Sequence, residues 1–161
     1  MKRVVATLIT LCALLNFTAC NSKNDAKTTN IDLSFYASDL TPEEYESVGV
    51  STIDNPTKDD FKNLHLVLSV ENMSNRTIKI PDINKVLKDE GILWFGNSTK
   101  QDNESENFAC YQEDYVIFVR NLSNDAIKAI FEKSEVNVSW ITSEGKEMNS
   151  VSNLSEIIEF K

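Results

Sequence analysis

Residues 64–81 read LHLVLSVENMSNRTIKIP. Leu64, Leu66, Leu68 and Val70 recur at every second position, with His65, Val67 and Ser69 between them. That is the period of a strand with one buried face. Asn72-Met73-Ser74-Asn75 is a turn signal, and Thr77 to Ile80 resumes strand character until Pro81 ends it. The stretch predicts a β-hairpin with a short connection.

The same alternation recurs on both sides. Ile31, Leu33 and Phe35 mark an earlier strand, and a weak one is expected over roughly 45–53. Ile92 to Phe95, Phe108 to Tyr111, Tyr115 to Arg120 and Val136-Val138-Trp140 mark later ones. Weaker strands around 148–151 and 157–160 follow a turn at Ser143-Glu144-Gly145-Lys146. Residues 97–107, NSTKQDNESEN, are polar throughout and predict a mobile loop.

Short helices punctuate these strands. Thr41-Pro42-Glu43-Glu44 carries an N-cap, a first-turn proline and the acid of a capping box, with Leu40 and Tyr45 placed as a staple. Ile83, Val86 and Leu87 follow helical spacing, and Gly91 is positioned as the stop. Ser123 caps a third stretch whose stripe is Ile127, Ile130 and Phe131, with Leu122 as its staple. Many short strands with two or three brief helices predict a mainly β chain, an antiparallel β-sandwich. Residues 66–81 resemble a hairpin of immunoglobulin-like domains in bacterial envelope proteins, which implies an immunoglobulin-like sandwich.

The N-terminus has a different character. Lys2 and Arg3 precede a twelve-residue apolar run, Val4 to Leu15, broken only by Thr7 and Thr10. A membrane-spanning helix needs about 20 apolar residues, so the run fits the h-region of an export signal. Ordinary secretory cleavage before Cys20 would want a small residue where Phe17 stands. Phe17, Thr18, Ala19 and Cys20 instead resemble the lipobox of bacterial lipoproteins. The resemblance implies cleavage before Cys20, a diacylglycerol thioether on its sulfur and residence in the cell envelope. Asn21, not Asp, follows the cysteine, which in that family implies the outer rather than the inner membrane. The expected division is 1–19 signal peptide, 20–30 lipidated Cys20 and tether, and 31–161 one β-sandwich domain.

The chain has 161 residues, 16 basic and 25 acidic, net −9. Loss of Lys2 and Arg3 with the signal would leave 14 basic against 25 acidic residues, net −11. Nucleic-acid binding is disfavoured, because it requires a positive patch. With Cys12 removed and Cys20 acylated, Cys110 stands alone and no internal disulfide is expected. It reads as a small buried hydrophobe, with a reactive thiol or an intermolecular bridge as the other readings. Asparagine is abundant, 17 residues, and glycine scarce, four. Asparagine is therefore expected to serve the positive-φ positions that glycine usually fills.

Catalytic signals are sparse. His65 is the only histidine, no G-x-S-x-G elbow surrounds any serine, and no Cys/His cluster suggests a metal site. Asp102, Glu104 and Glu106 alternate with the spacing of oxygen ligands for calcium but lack the turning glycine of an EF-hand. Trp94 and Phe95, beside the polar loop, are the candidate recognition residues, with the core as the other reading for Trp94. The expectation is a membrane-anchored, non-catalytic module without cofactor or metal that binds an envelope protein or ligand. The alternatives are a small envelope hydrolase, which would gather His65 or Cys110 with carboxylates in a cleft, and a calcium-dependent binder.

Overall fold

The structure, a computed structural model, describes residues 28–49 and 53–161. The lipobox, Cys20 and most of the tether lie outside the described residues, as does Val50 to Thr52. The described residues are mainly β, with eight strands in two sheets and a few short helices among them. Strands β1 (Asn30–Asp39), β2 (Phe61–Glu71), β4 (Trp94–Asn103), β5 (Phe108–Phe118) and β8 (Glu159–Phe160) form one sheet, in the order β4-β5-β2-β1-β8. Strands β3 (Arg76–Lys79), β6 (Glu135–Ile141) and β7 (Glu147–Asn153) form the other, in the order β3-β6-β7. All pairings are antiparallel except that of β1 with β8, which is parallel through Tyr36↔Glu159 and Ala37↔Phe160. The expected wholly antiparallel arrangement is corrected there.

β2 is the central strand. It pairs with β1 from Asn30↔Glu71 to Asp39↔Lys62 and with β5 from Phe61↔Phe118 to Glu71↔Phe108. Its Leu64, Leu66, Leu68 and Val70 are buried, as the alternation predicts. They share one core with Phe35 and Ala37 of β1, Ala109, Tyr111, Tyr115 and Ile117 of β5, and Val136 and Val138 of β6. Helices α2 (Ile83–Asp89), α3 (Asn124–Ile130) and α4 (Leu154–Ile157) contribute Ile83, Leu87, Ile127 and Leu154. Asp82, Ser123 and Asn153 cap them, each side chain accepting from a backbone N–H of the first turn. Helix α1 (Pro42–Ser47) has the full capping box of Thr41 and Glu44. It takes up Tyr45 to Ser47, where a strand was expected.

Two further expectations are corrected. Residues 64–81 do not form a hairpin: β2 and β3 lie in different sheets, and β3 pairs with β6. Both edges of β2 are already taken by strands two to three times as long as the four-residue β3, so the chain arches across the core at Asn72–Asn75. Met73 plugs the arch and is buried. Residues 97–107 are not an irregular loop: β4 continues to Asn103, a 3-10 turn spans Glu104–Glu106, and β5 begins at Phe108. The stretch is polar because β4 is a solvated edge, where apolar residues would invite pairing with other chains.

The asparagine expectation holds among the described residues. The positive-φ residues other than glycine are Asn55, Asn72, Asn75, Asn107 and Asn121. Asn72 and Asn75 bracket the arch, and Asn107 ends the 3-10 turn before β5.

Arg76 locks the arch to the β4–β5 hairpin. Its side chain is 2% exposed and donates to the Met73 carbonyl at 2.6 Å, the Phe108 carbonyl at 2.8 Å and Asp102 Oδ1 at 2.5 Å. Tyr111 Oη donates to the other Asp102 oxygen at 3.1 Å. Asp102→Ala is expected to lower unfolding free energy by about 1–3 kcal/mol, because a buried guanidinium loses its counter-charge. A lower urea midpoint at unchanged m-value is the expected result, and an unchanged midpoint would contradict the clamp.

Candidate functional site

The strands carry one polar row across the outer face of the five-stranded sheet. Register aligns Asn97 of β4, Asp114 of β5, His65 of β2 and Tyr36 of β1. His65 Nδ1 lies 2.6 Å from Asp114 Oδ1, a bond that orients the imidazole and leaves Nε2 as the ring nitrogen for a ligand. Tyr36 stacks on His65 with centroids 4.8 Å apart, and Lys161 Nζ sits 3.8 Å from the Tyr36 centroid. Asp114 Oδ2 accepts from Gln112 Nε2 at 2.7 Å.

Helix α1 roofs one end of this row. It is held there by Tyr45, whose ring meets Phe61 at 5.9 Å and whose hydroxyl donates to the Pro56 carbonyl at 2.6 Å. Behind it, Arg120 clamps the Asp60 carboxylate through Nε and Nη2. That bond, then the backbone N–H of Thr57, holds Asp60 far below the usual carboxylate range.

Between roof and sheet lies a cleft of about 260 Å³ lined by Glu44, Ser47, Asn63, His65, Phe95 and Asp114, among others. Glu44 is held below its ordinary pKa chiefly by the Thr41 N–H, which donates to its Oε2 at 2.6 Å. Ser47 Oγ donates to the Glu44 carbonyl at 2.6 Å. Gly96 forms part of the wall because nothing larger fits. A Cβ there would meet the Asp114 carbonyl oxygen at 2.1 Å and Tyr115 Cδ1 at 2.6 Å.

The sequence-selected residues separate. Phe95 lines the cleft, whereas its neighbour Trp94 faces the other way, edge-on to Tyr115 at 5.4 Å and packed on the core. His65 is half-buried beside Asp114 and Glu44, so one histidine and two carboxylates do share a cleft. Cys110 does not join them. It lies four positions along β5 from Asp114, about 13 Å at the rise of a strand. It is half-buried on the outer face between Ser69 and Gln101, not in the core, because the alternation of β5 turns Ala109 and Tyr111 inward. Asp102 is engaged by Arg76 and Tyr111, and the described residues hold no group of three His, Cys, Asp or Glu suited to a metal ion. Sequence reasoning missed Asp114 and Glu44 as neighbours of His65. Strand pairing supplies the first and the capping box supplies the second.

β5 also carries a carboxylate on its inner side. Burial raises the pKa of Glu113, against the Tyr115 phenol and with help from the charge of Asp82, and Glu113 Oε2 is buried without a hydrogen-bond partner. Burial, then the Glu113 charge, pushes Tyr115 up to about 12. The folded state therefore binds the Glu113 proton more tightly than the unfolded state. Stability is expected to fall as pH rises from the ordinary glutamate range through the raised folded value. Glu113→Gln should flatten that decline and stabilise the protein at neutral pH. Urea melts of both forms across pH 4 to 8 check this, and parallel profiles would contradict it. Among the described residues no helix is long and apolar enough to cross a membrane. No family model, curated protein or solved structure matches the chain.

Proposed function

We propose that the chain is a lipoprotein of the bacterial envelope, anchored through Cys20, with the outer membrane as its address. Its immunoglobulin-like sandwich docks a polar ligand or a protein in the cleft beneath α1, without catalysis. The observation that carries the docking reading is the cleft itself, where His65, Asp114, Asn63 and Glu44 face an aromatic wall at Phe95. Three of its polar side chains are held by hydrogen bonds within the protein. Ser47 gives its proton to a backbone carbonyl, Glu44 caps a helix and Asp114 orients His65. Such a network presents fixed hydrogen-bonding groups to a ligand, which supports the docking reading. The anchor reading rests on the lipobox residues Phe17 to Cys20. Burial contributes about 0.8 kcal/mol per CH₂, so two or three acyl chains give lasting attachment where one gives only marginal binding.

The hydrolase reading has one specific support, the 2.6 Å pairing of His65 with Asp114, which is the geometry of an oriented general base. Turnover of envelope esters or glycans by purified protein, abolished in His65→Ala, would favour it over docking.

Cys20→Ser is expected to move the protein from the membrane to the soluble fraction. Crosslinking in living cells should yield a specific adduct that is lost in Cys20→Ser and in Phe95→Ala. Mass spectrometry should find a mature chain starting at an acylated Cys20. A start elsewhere, or a bare thiol there, removes the anchor, and an adduct indifferent to Phe95→Ala removes the cleft.

A further inference from the structure

We infer that the junction between β5 and the start of α2 binds a hard divalent cation of the calcium type, with Glu113 Oε2 and Asn84 Oδ1 as its protein ligands and Tyr115 Oη beside them. Glu113 belongs to the inner side of β5, whereas His65 and Asp114 line the outer cleft. The site is independent of what the cleft docks.

Sheet register turns Glu113 inward. Its partners across the ladders are Leu66 of β2 and Ser98 of β4, and its neighbours on the same face of β5, Tyr111 and Tyr115, are buried. α2 is fixed in the core by Ile83 and Leu87, and Asn84 follows the first of them. Tyr115 feels Glu113, Asn84 and Asp82, and Glu113 feels Tyr115 and Asp82. The side chains of two elements therefore converge on one place.

Glu113 Oε2, Asn84 Oδ1 and Tyr115 Oη are all buried without a hydrogen-bond partner. Tyr115 is 3% exposed, so bulk water does not hydrate it. The groups lie near enough to perturb one another's protonation, yet none closes a hydrogen bond of acceptable geometry. The carboxylate and amide oxygens only accept, so they cannot satisfy each other. A buried acceptor left alone loses its hydration with nothing in return.

Charge points the same way. Neither Glu113 nor Asp82 forms an ion pair among the described residues. Lys100, on the same face of β4, lies 5.0 Å from the Tyr111 centroid, and Lys85 pairs with Asp89. Asp82 Oδ1 accepts from the Lys85 backbone N–H, which keeps its carboxylate at the exposed rim of the junction. A water would satisfy the buried oxygens but leave both carboxylate charges uncompensated. An all-oxygen set with carboxylate charge suits calcium, and metals that seek thiolate or imidazole find no ligand in it. One direct carboxylate, a second at the rim and one amide make a sparse set completed by water, with an expected dissociation constant of about 10⁻⁴–10⁻³ M.

Thermal melts of the full chain test the site, first in chelator and then in about 10 mM calcium chloride or sodium chloride of equal ionic strength. Calcium is expected to raise the midpoint by roughly 2–5 °C over the sodium control. Glu113→Gln keeps the shape and removes the charge, and should abolish that rise. Its melt in chelator, expected above wild type, shows that the variant folds. Asn84→Asp should reach half of the response at roughly tenfold less calcium, because ligand charge tunes such sites. It carries the test by itself if Glu113→Gln does not fold. Terbium occupies calcium sites and luminesces when a nearby tyrosine absorbs, so it should light up with wild type and not with Glu113→Gln. The absence of both a calcium shift and a terbium signal overturns the cation and leaves the buried oxygens to a water. A calcium shift that survives Glu113→Gln, or is indifferent to Asn84→Asp, overturns the site.

Discussion

Both edges of β2 are hydrogen-bonded over nearly the whole strand, to β1 on one side and β5 on the other. An eleven-residue strand with two filled ladders has no edge for the segment that follows it. β3 must find its partner elsewhere, and it finds β6. The crossing creates the second sheet, closes the leucine face of β2 beneath Val136 and Val138, and draws Arg76 inward against Phe108 and Asp102. The same filled ladders bring Asp114 beside His65 and Tyr36 on the outer face. Core and cleft are the two faces of one fully paired strand.

Much of this was legible in local sequence. Alternation locates β2, β6 and the two ends of β5, while the caps Thr41 and Ser123 and the helical spacing of Ile83, Val86 and Leu87 locate three helices, because cap and period act over a few residues. Pairing was not legible. A turn at Asn72–Asn75 serves a hairpin or an arch equally well, and the choice depends on strands about 40 residues away in either direction competing for the same edge. β4 from Asn97 onward reads as a loop because its polarity reports solvation, and an edge strand is solvated on its open side. Cys110 reads as core from the company of Phe108 and Tyr111, but the strand's period sends neighbours to opposite faces.

The cleft shows the same division. Phe95 and His65 are visible as single residues, but their meeting requires β4, β5 and β2 in register and α1 laid over the end of the sheet. Glu44 has a local duty as a capping acid and a second position as a lining residue, and only the first is encoded in its immediate neighbours. Gly96 is the converse case. Its need is steric and comes from a strand it does not adjoin in sequence, where the Tyr115 ring and the Asp114 carbonyl fill the place of a side chain.

Filling five left-handed positions with asparagine and not glycine has a consequence for the denatured chain. Glycine wanders through both halves of conformational space and loses that freedom on ordering, whereas a residue with a Cβ begins from a narrower ensemble. Some of the native strain at Asn55, Asn72, Asn75, Asn107 and Asn121 is therefore offset before the chain collapses, as reduced disorder in its starting state.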